Sequence, residues 1–261
     1  MTPPRLKNFE LIIFDWAGTM VDFGCCAPVL ALITAFEHRG VTLTDAEARV
    51  DMGQAKADHV RAILSRAPMA QRWSAKIGRA PCEDDVAAFM TDLGPLMTAA
   101  AQEASSLIPG ARETVAALRA AGIKIASSTG YTRQMMEPVL AAAAQQGYAP
   151  DHLVCAGETP QGRPSPLMIY KACADLGVWP LERVIKVDDA EAGVAEGRNG
   201  GCFTIGLAAS GNGVGLPRPA FDALDPADQA AKIAASRARL LAAGADLVID
   251  SVADLLAVFE A

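Results

Sequence analysis

Short apolar, β-branched runs alternate with longer helical patterns along this chain, and that alternation limits what it can fold into more than any other feature. The runs are Leu11–Asp15, Lys124–Ser128, Leu153–Ala156, Val184–Asp188, Cys202–Leu207 and Asp246–Ile249. Helical periodicity fills most of the gaps, as in Ala111–Ala121, Thr132–Gln146, Pro166–Leu176 and Ala227–Ala243. Strands and helices in alternation form βαβ units, so an α/β fold is expected, with a parallel sheet covered on both faces. In such sheets ligands gather beyond the carboxyl ends of the strands. Asp15, Ser128, Thr129, Asp188 and Asp189 all fall at such ends.

One region breaks the pattern. Between the first strand and Ile108-Pro109-Gly110 the chain reads as helix after helix, and a loop of that length without structure of its own is uncommon. The expected organisation is a Rossmann-like parallel-sheet core, residues 1–23 and 104–261, with residues 24–103 inserted as an α-helical cap domain. The Gly- and Pro-rich segment Ala209–Pro219 reads as a surface loop near the active face.

The net charge of −7 argues against nucleic acid or an anionic membrane as the main partner, because such surfaces need a concentrated positive field. No apolar stretch reaches the roughly 18–20 residues that span a bilayer. Met1–Glu10 carries no signal-like apolar segment. The six cysteines form no CxxC spacing, and buried reduced thiols are expected. A soluble, cytoplasmic protein follows as the default.

The first strand runs into Asp15-Trp16-Ala17-Gly18-Thr19-Met20-Val21-Asp22. Further along come Ser128-Thr129-Gly130, Arg163 before Pro164, and Val187-Asp188-Asp189. Each piece alone reads as ordinary turn or capping chemistry. In this order they resemble the motifs of the haloacid dehalogenase superfamily. The resemblance implies that Asp15 attacks phosphorus, that Ser/Thr and Arg hold the phosphoryl group, and that the late acidic pair helps to hold Mg²⁺. Phosphatases of that superfamily carry a general acid two residues after the nucleophile, and here that residue is Ala17, which has no proton to donate. Many members also carry an Asp where this chain has Gly193, which leaves Asp188 or water to assist the metal. Met20 stands where a smaller polar residue is common, and is expected to pack beneath the loop.

The insertion offers another way to handle the leaving group. Asp51–Leu64 reads as a helix in which Met52, His59, Val60 and Ile63 lie within about 60° of Lys56, while Gln54, Asp58, Arg61 and Ser65 lie opposite. A lysine in an apolar stripe either lets its amine snorkel to water or is buried for a purpose. Burial disfavours the ammonium and releases a nucleophilic amine. His59, one turn away, is placed to shuttle a proton.

The segments FDWAGTMVDFGCCAP, MGQAKADHVRA, SSTGYTRQMM, GRPSP and IKVDDAEAGVAEGRNGG span positions 14–201. Together they resemble the phosphonatases, a capped branch of the same superfamily that hydrolyses phosphonoacetaldehyde to acetaldehyde and phosphate in the degradation of 2-aminoethylphosphonate. The resemblance implies two catalytic residues, Asp15 as nucleophile and Lys56 as Schiff-base amine. It implies a Mg²⁺ cofactor held by Asp15, the Ala17 carbonyl and Asp189. It also implies phosphonate binding by Gly18, Thr129 and Arg163, and a Schiff-base pocket of Met52, His59 and Tyr131 with Cys25 facing it. A homodimer joined through the caps is the implied assembly.

Overall fold

The computed structural model of the chain describes residues 5–259, so the first four residues of the Met1–Glu10 stretch and the last two of the expected core lie outside it. Strand β1 (Leu11–Phe14) is buried along its whole length. Five helices follow in succession: α1 (Ala27–Glu37), α2 (Asp45–Arg49), α3 (Lys56–Ser65), α4 (Ala67–Ile77) and α5 (Glu83–Glu103). Alternation then sets in. Helix α6 (Ala111–Ala120) precedes β2 (Lys124–Thr129), and α7 (Arg133–Gln145) precedes β3 (His152–Cys155). Helix α8 (Leu167–Leu176) leads to β4 (Val184–Asp188), and α9 (Glu191–Gly200) to β5 (Phe203–Leu207). Then come α10 (Arg218–Asp222), α11 (Pro226–Ala243) and β6 (Leu247–Ile249), followed by a 3-10 helix, Val252–Val258.

The strands form one parallel sheet in the order β3-β2-β1-β4-β5-β6. Successive side chains of a strand point to opposite faces, and β1 shows both faces covered. Leu11 and Ile13 pack with Met168, Ile169 and Ala172 of α8. Ile12 and Phe14 join a larger cluster with Val115 and Leu118 of α6 and Met135 and Met136 of α7. Register does the rest. Phe14 pairs with Ser127 on one side and Val187 on the other, so Asp15 leaves the sheet flanked by Ser128 and Asp188. The α/β fold and all six strand positions expected from the sequence are therefore present.

The helical insertion shares the larger cluster. Its interior is built on Phe36, Phe89 and Trp73, with ring centroids 4.4 Å apart for the first pair and 5.7 Å for Phe89 and Trp73. Asp22 turns the chain into it by accepting N–H bonds from Cys26 (3.1 Å) and Ala27 (2.9 Å) at the start of α1. No helix among the described residues is long and apolar enough to cross a membrane, and the six cysteines are free thiols.

Two expectations are corrected. The helix read as Asp51–Leu64 begins at Lys56; Asp51–Gln54 form a turn. Gly53 has φ +92°, a left-handed conformation that breaks a right-handed helix and that glycine adopts freely. The segment Ala209–Pro219 lies at the active face as expected, yet it is not a surface loop. Ala209, Ser210 and Asn212 are buried. Ser210 Oγ donates to the Gly18 carbonyl (2.9 Å), the Ser210 carbonyl accepts from Gly24 N–H (2.7 Å), and the end of the segment enters α10. Small side chains let this backbone pack against the turn that follows β1.

Arg49 locks the insertion onto that loop. Its Nη1 donates to the carbonyls of Gly24 (3.0 Å) and Cys25 (3.3 Å) and to Asn212 Oδ1 (3.2 Å), and its Nη2 to the Gly215 carbonyl (3.0 Å). Asn212 Nδ2 returns a bond to the Arg49 carbonyl (3.1 Å). Truncation at Arg49 leaves several part-buried acceptors without donors, which costs free energy beyond the bonds themselves. Arg49→Ala is expected to lower the unfolding free energy by about 2–4 kcal/mol, read from urea denaturation. A loss below about 0.5 kcal/mol would show that the lock contributes nothing.

Candidate active site

Three loops at the carboxyl ends of β1, β2 and β4 meet the turn before α3, and between them lies a small cavity. Asp15, Ala17, Cys25, Met52, Lys56, Thr129, Tyr131 and Asp189 line it. Eight of the residues expected at a site are thus brought together on one wall system. Arg163, Gly18 and His59 do not line it; Arg163 stands behind the wall, bonded to Asp15.

Asp15 is buried because β1 delivers it at the centre of the sheet. Arg163 Nη1 donates to its Oδ1 at 2.7 Å. Burial and then Asp188 raise the carboxyl of Asp15, while Arg163 and Lys186 pull the other way. Asp189 is raised well above the usual carboxylate range by burial and by the charges of Asp15 and Asp188, although Asn212 N–H (2.7 Å) and Thr19 Oγ1 (3.0 Å) both donate to it. Oxygens of Asp15, Asp188 and Asp189 lie within 4.8 Å of one another. Three crowded, buried carboxylates with oxygen donors only are a site a hard divalent cation fits, since its charge relieves their repulsion.

Gly193 explains how Asp188 comes to be there. A Cβ at position 193 would lie 1.8 Å from Asp188 Oδ2, so the absence of a side chain is what admits the carboxylate. Met20 is fully buried, as expected. Gly18 does not present its N–H to the cavity. That group donates to the Val21 carbonyl (2.7 Å), closing the turn, and the Gly18 backbone packs against the Asp189 carboxylate. Thr129 faces the cavity and Ser128 faces away, because neighbouring residues of a strand point to opposite sides.

Lys56 is the first residue of α3 and is 3% exposed. Its Nζ lies 3.9 Å from Met52 Sδ and 5.2 Å above the Tyr131 ring. Burial pulls the amine down to about 8, with Arg163 acting in the same direction and Cys25 and Asp15 opposing. The positive end of the α3 dipole also disfavours an ammonium at this position. Burial pushes Cys25 and Tyr131 well up, so both stay protonated beside it.

His59 sits behind Lys56. Its Nε2 bonds the Ala48 carbonyl at 2.9 Å, which places the ring proton there, and its Nδ1 is buried without a partner among the described residues. Burial, reinforced by the charge of Lys56, pulls its pKa to about 3. Burial thus keeps the ring neutral, with Nδ1 as an acceptor.

Two buried residues were not anticipated. Lys186 in the middle of β4 and Glu196 in α9 are fully buried around Arg163 and Ser128. A lysine inside a strand of a sheet covered on both faces needs an internal partner, and that was a legible signal.

A profile of the haloacid dehalogenase-like hydrolases matches residues 9–201. A protein named phosphonoacetaldehyde hydrolase from Paraburkholderia phytofirmans is 47% identical over 253 residues, covering 97% of this chain and 95% of that one. One of the same name from Bacillus anthracis is 41% identical over 253 residues, covering 97% and 96%. A crystal structure of a phosphonoacetaldehyde hydrolase-like protein from Oleispira antarctica superposes with a TM-score of 0.95 at 40% identity, covering 99% of this chain and 94% of that one. The chain is a hydrolase: it belongs to the haloacid dehalogenase-like hydrolases and, among them, to the phosphonoacetaldehyde hydrolase family.

Proposed function

We propose that this enzyme hydrolyses the carbon–phosphorus bond of phosphonoacetaldehyde through an imine on Lys56 and an aspartyl phosphate on Asp15. The observation that carries the reading is one cavity lined by a nucleophilic carboxylate and by a buried lysine that bonds the Met52 thioether, with Ala17 where a general acid would stand. A carboxylate partner would hold the Lys56 pKa at or above its ordinary value, whereas a thioether neighbour leaves the effect of burial to prevail.

The chemistry follows from the two groups. Neutral Lys56 adds to the aldehyde carbon, and a proton taken up from solvent lets water leave, giving a protonated imine. Asp15 then attacks phosphorus, the P–C bond breaks, and its electron pair flows into the imine to form an enamine. No alkoxide leaves, so no acid is needed at position 17. Protonation at carbon and hydrolysis return acetaldehyde and free Lys56, and water releases phosphate from Asp15. Thr129 and the Nη1 edge of Arg163 hold the phosphoryl oxygens. Gly18 is dropped from that set because its N–H is committed to Val21. Cys25, Met52 and Tyr131 shape the imine pocket, and His59 packs behind the lysine. Asp15, Asp189 and the Ala17 carbonyl, with Asp188 beside them, would hold Mg²⁺. That ion, when bound, supplies positive charge against the phosphonate.

We read residues 24–103 as a cap domain over a core of 1–23 and 104–261, with the sequence segment that bears Lys56 delivered by the cap. The exposed Leu30 and Val50 on the insertion suit a homodimer joined through the caps. A cytoplasmic role in the catabolism of 2-aminoethylphosphonate completes the reading.

Lys56→Arg keeps the charge but cannot form an imine. It is expected to lower phosphate release from phosphonoacetaldehyde by roughly 10³-fold or more, measured by a phosphate assay. Retained activity in that variant would overturn the reading. A second test uses pH. With its pKa near 8 the amine is roughly one-tenth neutral at pH 7, against less than one part in a thousand for an unperturbed lysine. Protonation blocks attack, so the rate of borohydride-dependent inactivation by acetaldehyde is expected to rise with pH through a midpoint near 8 and then level off. A midpoint above 10 would show that Lys56 is not desolvated in solution.

A further inference from the structure

Arg163 is gripped from below by residues to which the reaction above assigns no part. Its Nε donates to Glu196 Oε2 at 3.0 Å. Its Nη2 donates to the carbonyl and the Oγ of Ser128, at 2.5 and 2.9 Å. Only Nη1 is turned to Asp15. Beneath this lies Lys186, whose Nζ donates to Ser128 Oγ (2.9 Å) and lies 3.0 Å from Asp188 Oδ2 and 3.3 Å from Glu196 Oε2. Ser128 Oγ in turn donates to Glu196 Oε2 at 3.0 Å. The side chains of Arg163, Lys186, Asp188 and Glu196 have no solvent exposure.

We propose that Glu196 and Lys186 are positioning residues for Arg163, acting as one buried bracket. Glu196 fixes the guanidinium through Nε, the end away from the cavity. Lys186 fixes Glu196 and the Ser128 hydroxyl, two of the acceptors that Arg163 uses. With Nε and Nη2 committed, rotation of the guanidinium is blocked and a single edge meets the phosphoryl group. A planar cation on a flexible stem gives directional binding only when its plane is held in this way. Removing one charge of the bracket leaves the remaining buried charges unbalanced, and they relax by shifting the guanidinium that Glu196 and Ser128 hold. The inference rests on the reading that Arg163 binds the phosphoryl oxygens.

The test uses the full-length protein with inorganic phosphate as ligand, in the presence of Mg²⁺, followed by calorimetry. Glu196→Gln keeps shape and an acceptor for Nε but loses the charge. It is expected to weaken phosphate binding by about tenfold and to lower kcat by roughly 10–100-fold. The rate and pH dependence of borohydride trapping at Lys56 stay as in wild type. In an Arg163→Lys background, Glu196→Gln is expected to cost nothing further in phosphate affinity, since the group it positions is gone. If Glu196→Gln does not fold, the pair Glu196→Gln/Lys186→Met removes one charge of each sign and keeps the buried volume, and the same losses and the same non-additivity are expected. Unchanged phosphate affinity in the variant, or losses that multiply with those of Arg163→Lys, overturn the proposal. If wild type binds phosphate yet leaves phosphonoacetaldehyde intact, the proposed reaction fails while the phosphate cycle still decides the bracket.

Discussion

Taking the amine of Lys56 out of water is the constraint around which the rest of this structure is arranged. An ammonium loses hydration when it is buried, and without a carboxylate partner the protein does not return that free energy. The neutral amine suffers far less, so burial raises the share of the nucleophilic form. Achieving that burial takes an apolar environment that the sheet alone cannot provide, because the carboxyl ends of its strands are lined with charge. The helical insertion supplies it. Its interior is packed on Phe36, Trp73 and Phe89, and the turn at Gly53 starts α3 at Lys56, where the helix end itself opposes a positive charge.

Below the cavity the problem is the reverse. Asp15, Asp188, Asp189 and Glu196 are buried together, and among the described residues only Arg163 and Lys186 sit between them as counter-charges. Burial alone would lower the Arg163 guanidinium, but Asp188, Asp15 and Glu196 outweigh it and drive it further up, which makes it a permanent cation. The remaining excess of negative charge is what suits the site to a divalent ion. The loop at 209–216 joins the two halves of the design. Asn212 bonds Asp189 through its N–H and Arg49 through its side chain, so a carboxylate of the core and a helix of the insertion are held by the same residue.

The features legible in the sequence are those that depend on local spacing. Six strands declared themselves as short β-branched runs, and Asp15, Thr129 and Asp189 could be placed because strand ends point at the active face. Ala17 was informative as a missing functional group, which a sequence shows as clearly as a present one. What stayed hidden depends on partners far apart in the chain. Glu196 meets Ser128 across 68 positions, and no periodicity links them. Gly18 looked like a phosphate-binding glycine until its N–H proved to close a turn onto Val21. The Gly-rich segment 209–219 looked exposed by composition, whereas its small residues serve close backbone packing. The start of α3 was misjudged because the apolar pattern continues through Met52, which reaches Lys56 from a turn and not from a helix.

The central claim is that two nucleophiles act on one substrate molecule in sequence, the amine first and the carboxylate second. The most direct test exposes Asp15→Asn and wild type to phosphonoacetaldehyde and borohydride and maps the modified peptide by mass spectrometry. The account predicts a reduced adduct on Lys56 in both proteins, retaining phosphorus in Asp15→Asn and, after turnover, lacking it in wild type. Phosphate release by Asp15→Asn, or an adduct on a residue other than Lys56, would contradict it.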